Sequence, residues 1–508
     1  MVWDYVIAGG GTAGAVLATR LTEDPAVRVL LLEAGRNIGP AAVPAGFRTR
    51  RTVDPQRDPE FWWPGLMARR HPGQERRRYL QGRGTGGSST VNSLCAMRGV
   101  PDDYDQWAAA GADGWSFAQV LPAFVALEDE HDFPGAAWHG SGGPIPVYRA
   151  PTRDWGGVDL ALRNAALDAG YPWAGDHNSP EASGISAFAM NIRDGRRVSV
   201  NDGYLDPARS RPNLTIRGSC PATALIFSAD GSRATGVRLA DGGQATVCPG
   251  GEVIVACGAA HSPALLMRSG IGPARDLAKL GIDVIADLPV GQQVQDHALL
   301  LLKLPTKDWA RRSRDGRSAN CVVRYPSGMN DAGANDMMLL VNNGPELSHS
   351  WMIVQQQQVF SRGVLRLAAA DPAVEPVIDL CILTDARDRE RMLDGLERAT
   401  GLLGHQAFRR ILDGKPELPT GPELPIELIT STEHLCGTCP MGSPGSAAAV
   451  VDADCRVLGV EGLRVIDSSV IPVIPRANPH LTVIMLAEQM ARRMSAALAG
   501  HSLQYAPA

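Results

Sequence analysis

"DYVIAGGGTAGAVLATRLTEDPAVRVLLLEAG", Asp4 to Gly35, is the stretch on which the fold turns. Tyr5 to Ala8 read as a short buried strand. Gly9-Gly10-Gly11-Thr12-Ala13-Gly14 follows as G-x-G-x-x-G, then a helix to about Leu21, then a second strand, "VRVLLLEAG", ending on Glu33. The glycines have separate roles. Gly9 makes the tight turn, Gly11 lets backbone approach a pyrophosphate, and Gly14 lets helix and strand pack closely. The amides of Thr12 and Ala13 open the helix, where free N–H groups and the helix dipole favour a phosphate. Glu33 lies 19 residues beyond Gly14 (33 − 14), where an acid grips ribose hydroxyls. Strand before, helix after and acid on schedule predict a dinucleotide site. The motif alone does not separate FAD from NAD; the early start and the "EAG" that follows lean toward FAD.

Further along, "YLQGRGTGGSSTVNSLCAMRGVPDDYDQW" spans Tyr79 to Trp107. Gly82, Gly84, Gly86 and Gly87, with Ser88, Ser89 and Asn92, make a loop of small residues and donors. Such a loop lets backbone come close to a flat ligand and bond its edges. An ordinary glycine-rich connection would read the same way in isolation.

Taken together, the two motifs resemble the glucose–methanol–choline (GMC) family of flavin oxidoreductases. "GAAHSPALLMRSGIGP", Gly258 to Pro273, resembles that family's second signature. "PVGQQVQDH", Pro289 to His297, resembles its G-x-N-L-x-D-H element, with Gln293 where Asn is usual. "VVDADCRVLGVEGLRVIDSSVIPVIPRANPHLTVIMLAEQMA" resembles its carboxyl-terminal block. The matches run in the family's order from residue 4 to about 495. The resemblance implies an α/β fold: a Rossmann-like FAD domain interleaved with an α+β substrate domain on an antiparallel sheet. The expected FAD-domain segments are residues 1–150, 204–298 and 431–508, and the expected substrate-domain segments are 151–203 and 299–430. Within the latter, "SRGVLRLAAADPAVEPVIDLCILTDARDRERM" resembles the family's strand pair and following helix, and "QQQQ" at 355–358 reads as a polar strand whose alternate glutamines could line a pocket.

The resemblance also places FAD residue by residue. Besides Gly9, Gly11, Thr12, Ala13, Gly14 and Glu33, it implies Arg83, Gly86, Gly87, Ser88, Asn92, Ser93 and Leu94 from the second glycine loop. From the middle of the chain it implies Ala222, Cys257, Gly258 and Ser262. From the end it implies Asp467, Ser468, Asn478, Pro479, His480 and Leu481. Some family members tether flavin to a histidine in the glycine loop. The matching position here is Val91, and no histidine lies between Gly82 and Val100, so non-covalent FAD is expected.

In the last block, "EGLRVIDSSVIP" reads as a strand ending at Asp467 and a Ser-Ser turn. Asn478 suits an N-cap and Pro479 the first helical position, so a long helix should start at the Asn-Pro-His turn. Its positive end can stabilise an anion placed there; in the family that is the flavin N1 and C2 oxygen. The resemblance implies a catalytic pair. His434, before Gly-Thr in "STEHLCGTCPMG", matches the first member. The second is Asn478 or His480, two residues apart, and both stay candidates. Alcohol oxidation needs hydroxyl proton removal together with hydride departure, and a neutral imidazole is a fitting acceptor near pH 7. Cys436 and Cys439 form C-x-x-C, but no second pair completes a zinc site and no thioredoxin-like unit surrounds them. Packed thiols behind His434, and no metal, are expected.

Composition sets the outer bounds. The 508 residues are 44% hydrophobic and 20% charged, which suits a packed core and not general disorder. Net charge is 49 − 54 = −5, which argues against nucleic acid or an anionic membrane as main partner. Arginines crowd "RTRRTVDPQR" and "ERRRYLQGRG". These read as a solvated face, or in part as a lining for cofactor phosphates. Nine scattered cysteines do not form a disulfide framework. Strand-like residues begin at Val2, leaving no room for a signal peptide, and no apolar run reaches the ~18 residues of a membrane span. A cytoplasmic location is expected. The partners expected are a small-molecule alcohol and an electron acceptor, dioxygen or a quinone-like carrier. Within the family the sequence resembles bacterial aryl- and furan-alcohol oxidases, and in its last segments the mycofactocin-associated dehydrogenases. The alternatives are a flavin lyase of the hydroxynitrile type and a non-catalytic flavin-binding protein.

Overall fold

A computed structural model describes residues 2–50, 58–314, 316–343, 348–419 and 423–504, with side chains to 497. The opening strand, Trp3–Ala8, is centred in a seven-stranded sheet. It pairs in parallel with Val29–Leu32 on one side and Gln244–Val255 on the other; Leu214–Arg217 and Leu463–Val465 extend the parallel part. Val6, Ile7, Ala8 and all of Val29–Leu32 are buried, as a parallel sheet covered on both faces requires. Ala222–Phe227 and Ala234–Leu239 add an antiparallel flap on the Gln244–Val255 strand.

The helix Thr12–Leu21 leaves the opening strand through the glycine turn. Gly9 has φ +108°, and a Cβ there would lie 2.3 Å from the Ala256 carbonyl oxygen. A Cβ on Gly14 would lie 1.9 Å from the Gly9 carbonyl oxygen, so helix and strand meet at a distance only glycine permits. The last helix, His480–Gln504, covers the opening one. Arg20 on the opening helix bonds Glu488 on the last through Nε at 2.9 Å and Nη2 at 2.8 Å.

A second seven-stranded sheet holds the middle of the chain. Its order is Ile429–Ser431, Ala298–Leu304, Ser350–Gln356, Met337–Asn343, Cys321–Tyr325, Gly184–Ala187, Trp173–Gly175. Every pairing but the last is antiparallel. The fold is thus α/β in one half with an antiparallel sheet in the other. The strand pair in "SRGVLRL…" forms, as Val364–Arg366 and Val377–Asp379, but it does not join this sheet. It makes a separate four-stranded sheet with Met67–Arg69 and Arg77–Arg78. Ion pairs from Arg69 and Arg76 to Asp379, both 2.8 Å, hold it there. No helix among the described residues is long and apolar enough to cross a membrane.

Candidate active site

Between the two large sheets lies a cavity of about 1070 Å³. That is just above the ~300–1,000 Å³ typical of small-molecule sites. Its floor is the glycine turn, with Gly9, Gly11, Thr12 and Ala13, and the wall at that end includes Glu33, Gly87, Ala222, Cys257 and Gly258. No side chain caps the opening helix, so its first amides keep their donors for an anion. The Glu33 carboxylate accepts from the amides of Gly10 (2.8 Å), Gly35 (2.6 Å) and Gly84 (3.0 Å). It therefore pins both glycine loops while facing the cavity. Asp467 plays the same part farther on, accepting from Ser262 Oγ (2.5 Å), Gly258 N and Ser469 N (both 2.8 Å). Burial pushes its carboxyl above the usual range.

Ser88, Asn92, Ser93, Ser468, Asn478, Pro479 and His480 also line the cavity; Gly14, Arg83, Gly86, Leu94, Ser262 and Leu481 do not. The reasons are local. Gly14 faces the strand. Gly86 donates its amide to the Gly10 carbonyl, and a Cβ there would meet Thr90 Oγ1 at 2.3 Å. Arg83 bonds the Ala34 carbonyl and lies over Trp63. Leu94 joins an apolar cluster with Phe188 and Met338, and Leu481 sits in the main core. Ser262 spends its hydroxyl on Asp467. None of the described arginines in the two arginine-rich stretches lines the cavity; Arg51 and Arg57 lie outside the described residues.

His434 and Asn478 meet at the wall facing the antiparallel sheet. Asn478 Nδ2 is 3.2 Å from His434 Nε2. An amide nitrogen only donates, so Nε2 carries the lone pair. The ring proton of neutral His434 then sits on Nδ1, 2.9 Å from His297 Nδ1. The backbone of His434 donates to Asp296 Oδ1 at 2.9 Å, and Tyr79 O–H donates to Asp296 Oδ2 at 2.6 Å. Burial, with His297 adjacent, holds His434 well below the usual imidazole range, so it is neutral at pH 7. Burial lowers His297 to about 4 and, with Arg197 nearby, His480 to about 4. His480 lines the cavity but has no hydrogen bond to His434.

Asn478 does not cap the last helix as its sequence position suggested. Its side-chain oxygen has no partner, because the amide is turned to the imidazole. Cys436 and Cys439 are free thiols, fully buried in the core. Sequence reasoning left His297 and Asp296 out of the site, although both stand in "PVGQQVQDH"; the Asp-His pair ahead of a strand was the available signal. Phe188, Met338 and Ile353, which line the far wall, carry no signal beyond apolarity.

Two family models match, both described as GMC oxidoreductase, over residues 3–299 and 359–487. The chain is 36% identical to 5-(hydroxymethyl)furfural oxidase of Methylovorus sp. (strain MP688), covering 96% of this chain and 98% of that one. It is 32% identical to the oxygen-dependent choline dehydrogenase of Sinorhizobium fredii (strain NBRC 101917 / NGR234), covering 96% and 94%. Among solved structures, pyridoxine 4-oxidase from Mesorbium loti superposes with a TM-score of 0.86 at 29% identity, covering 97% and 99%. The chain belongs to the GMC oxidoreductase family, and it is an enzyme of that oxidoreductase class.

Proposed function

We propose that this enzyme binds FAD non-covalently and oxidises a primary or secondary alcohol to the aldehyde or ketone. The observation that carries the reading is the His434–Asn478 pair: an unprotonated Nε2 and an amide donor, 3.2 Å apart, at a cavity wall. A substrate O–H placed between them donates to His434 Nε2, while its oxygen accepts from Asn478 Nδ2. The hydroxyl proton ends on Nε2; the Nδ1 proton stays shared with His297, which holds the ring in the accepting tautomer. Asn478 is the second catalytic residue in this reading, and His480, beside the turn, serves the cofactor. The cavity fits FAD in three respects: an uncapped helix start for a pyrophosphate, Glu33 for a ribose, and a lining that continues to His434. A bound FAD supplies the hydride acceptor, reoxidised by dioxygen or a quinone-like carrier. The furfural and choline enzymes among the relatives favour an alcohol substrate.

Residues 1–150, 204–298 and 431–508 make the cofactor part of this reading, and 151–203 and 299–430 the substrate part. Val91 occupies the position where a tethering histidine would stand, which supports a dissociable flavin. Acid precipitation of the holoenzyme should therefore leave the flavin in the supernatant; flavin pelleting with protein defeats that part. The activity test is anaerobic mixing with a panel of alcohols. Bleaching of the flavin band with carbonyl formation is expected, and His434→Ala should slow it by about 10²–10⁴-fold with flavin still bound. Carbonyl release without bleaching would instead make the reaction a lyase's, and no response to any alcohol would overturn the alcohol reading.

A further inference from the structure

Resting on the alcohol-oxidation reading, we propose that the substrate is an uncharged alcohol with a mostly apolar body and a second oxygen that accepts a hydrogen bond from Gln355. The named relatives divide between a furan alcohol and a quaternary ammonium alcohol, and the walls of this cavity favour the first type.

The substrate side is one face of the antiparallel sheet. Leu299, Gln355 and Met338 stand side by side on three adjacent strands, and Ile353 pairs with Leu340 on the next rung. All five line the cavity. The strand carrying Leu299 begins at Ala298, directly after His297, so Leu299 stands two residues beyond the histidine that bonds the proposed base. Gln355 is 4% exposed, and its Nε2 has no hydrogen-bond partner. Gln355 lines the cavity, and a buried amide donor with no partner is poorly served until an acceptor lies against it.

Among the described residues a cationic alcohol finds no counterpart there. A quaternary ammonium is held by a carboxylate or by aromatic faces, and burying it without them is unfavourable. The acidic lining residues belong to the cofactor end of the cavity or are paired with a basic side chain. Glu33 serves three backbone amides, and Asp467 serves Ser262 and two amides. Glu375 pairs with His261 at 2.9 Å, and Glu433 accepts from Arg70 and from the Leu80 amide. None of the four lies on the antiparallel sheet. Among the described lining residues from that half, residues 188–190 and 299–355, Phe188 is the only aromatic one.

The test uses the holoenzyme under anaerobic conditions, with flavin reduction as readout. The probes are 4-methoxybenzyl alcohol, its near-isostere 4-ethylbenzyl alcohol, and choline. The expected result is a kcat/KM for the methoxy alcohol at least about 10²-fold above choline. The methoxy-to-ethyl ratio should fall by about 10-fold in Gln355→Leu, a ratio that cancels the electronic effect of the methoxy group. Gln355→Glu, nearly isosteric, should raise choline relative to the methoxy alcohol. Choline as the best of the three, or an unchanged ratio in Gln355→Leu, overturns the proposal while leaving alcohol oxidation standing. Silence from all three, with intact holoenzyme, overturns both. If Gln355→Leu does not fold, the choline shift in Gln355→Glu decides the matter, and its absence counts against.

Discussion

His434 is held by partners on three sides. Asp296 anchors its backbone amide, His297 accepts a hydrogen bond from its Nδ1–H, and Asn478 marks its Nε2. Burial makes the ring a weaker base than a solvated histidine, but it keeps the lone pair free at neutral pH. His297 is fully buried and sits at about 4, below the ~6.5 of an unfolded histidine. The unfolded chain therefore binds the extra proton between those two values. Its contribution to stability is complete above about pH 6.5 and declines as pH falls toward 4, by up to about 1.4 kcal/mol per pH unit. Other buried groups oppose this: Asp296, raised to about 6 by burial, gains a proton in the fold over the same range. The useful measurement is thus a difference. The stability of the wild type minus that of His297→Leu, from urea unfolding, should shrink as pH drops from 7 to 4.5. A difference that is flat with pH would mean His297 is not neutral in the fold.

The opening strand, glycine turn and helix form the element most completely readable in advance. Their alternation of burial, glycine and helical spacing needs no distant partner to be recognised. The tightest point is Gly14, whose missing Cβ admits the Gly9 carbonyl at 1.9 Å. Gly14→Ala should push the helix off the strand, costing about 1–3 kcal/mol by overpacking, and should lower the flavin content of the purified protein. Urea unfolding and the ratio of flavin to protein absorbance check both; normal values would show that the helix shifts without strain. The last helix was equally readable in position, since it begins at the Asn-Pro-His turn. Its capping was not, because Asn478 bonds a histidine 44 residues away in sequence instead of its own helix.

The turn that presents Asn478 is fastened to both halves of the molecule. Arg476 donates its amide to Asp103 Oδ2 at 2.8 Å and pairs through Nε with Asp103 Oδ1 at 3.1 Å. Its carbonyl accepts from Arg324 of the antiparallel sheet at 2.8 Å, and its guanidinium also reaches Asp102. Arg476 and Asp103 are each 2% exposed, and burial raises Asp103 to about 6 although Arg476 opposes the shift. Arg476→Met should leave that carboxyl unpaired, a loss of about 3–5 kcal/mol. The loss should be larger at pH 8 than at pH 5, where Asp103 can take up a proton. Urea unfolding at the two pH values tests this, and equal losses would place the effect in packing alone.

From the order of residues came the dinucleotide turn, the two strands and helix around it, His434 and the Asn-Pro-His turn. These are local: periodicity, glycine placement and spacing act within a few tens of residues, and motif order carried the family. What required the folded chain was everything set by approach between distant segments. Asn478 was separated from His480 as the neighbour of the imidazole, and His297 was found behind it. The strand pair at 364–379 left the antiparallel sheet for one built with residues 67–78. Gln355 was placed opposite Leu299 at the cavity wall, with its Nε2 unserved. Side-chain hydrogen bonds and cavity walls depend on which surfaces meet, and a linear pattern states only which residues are available to meet.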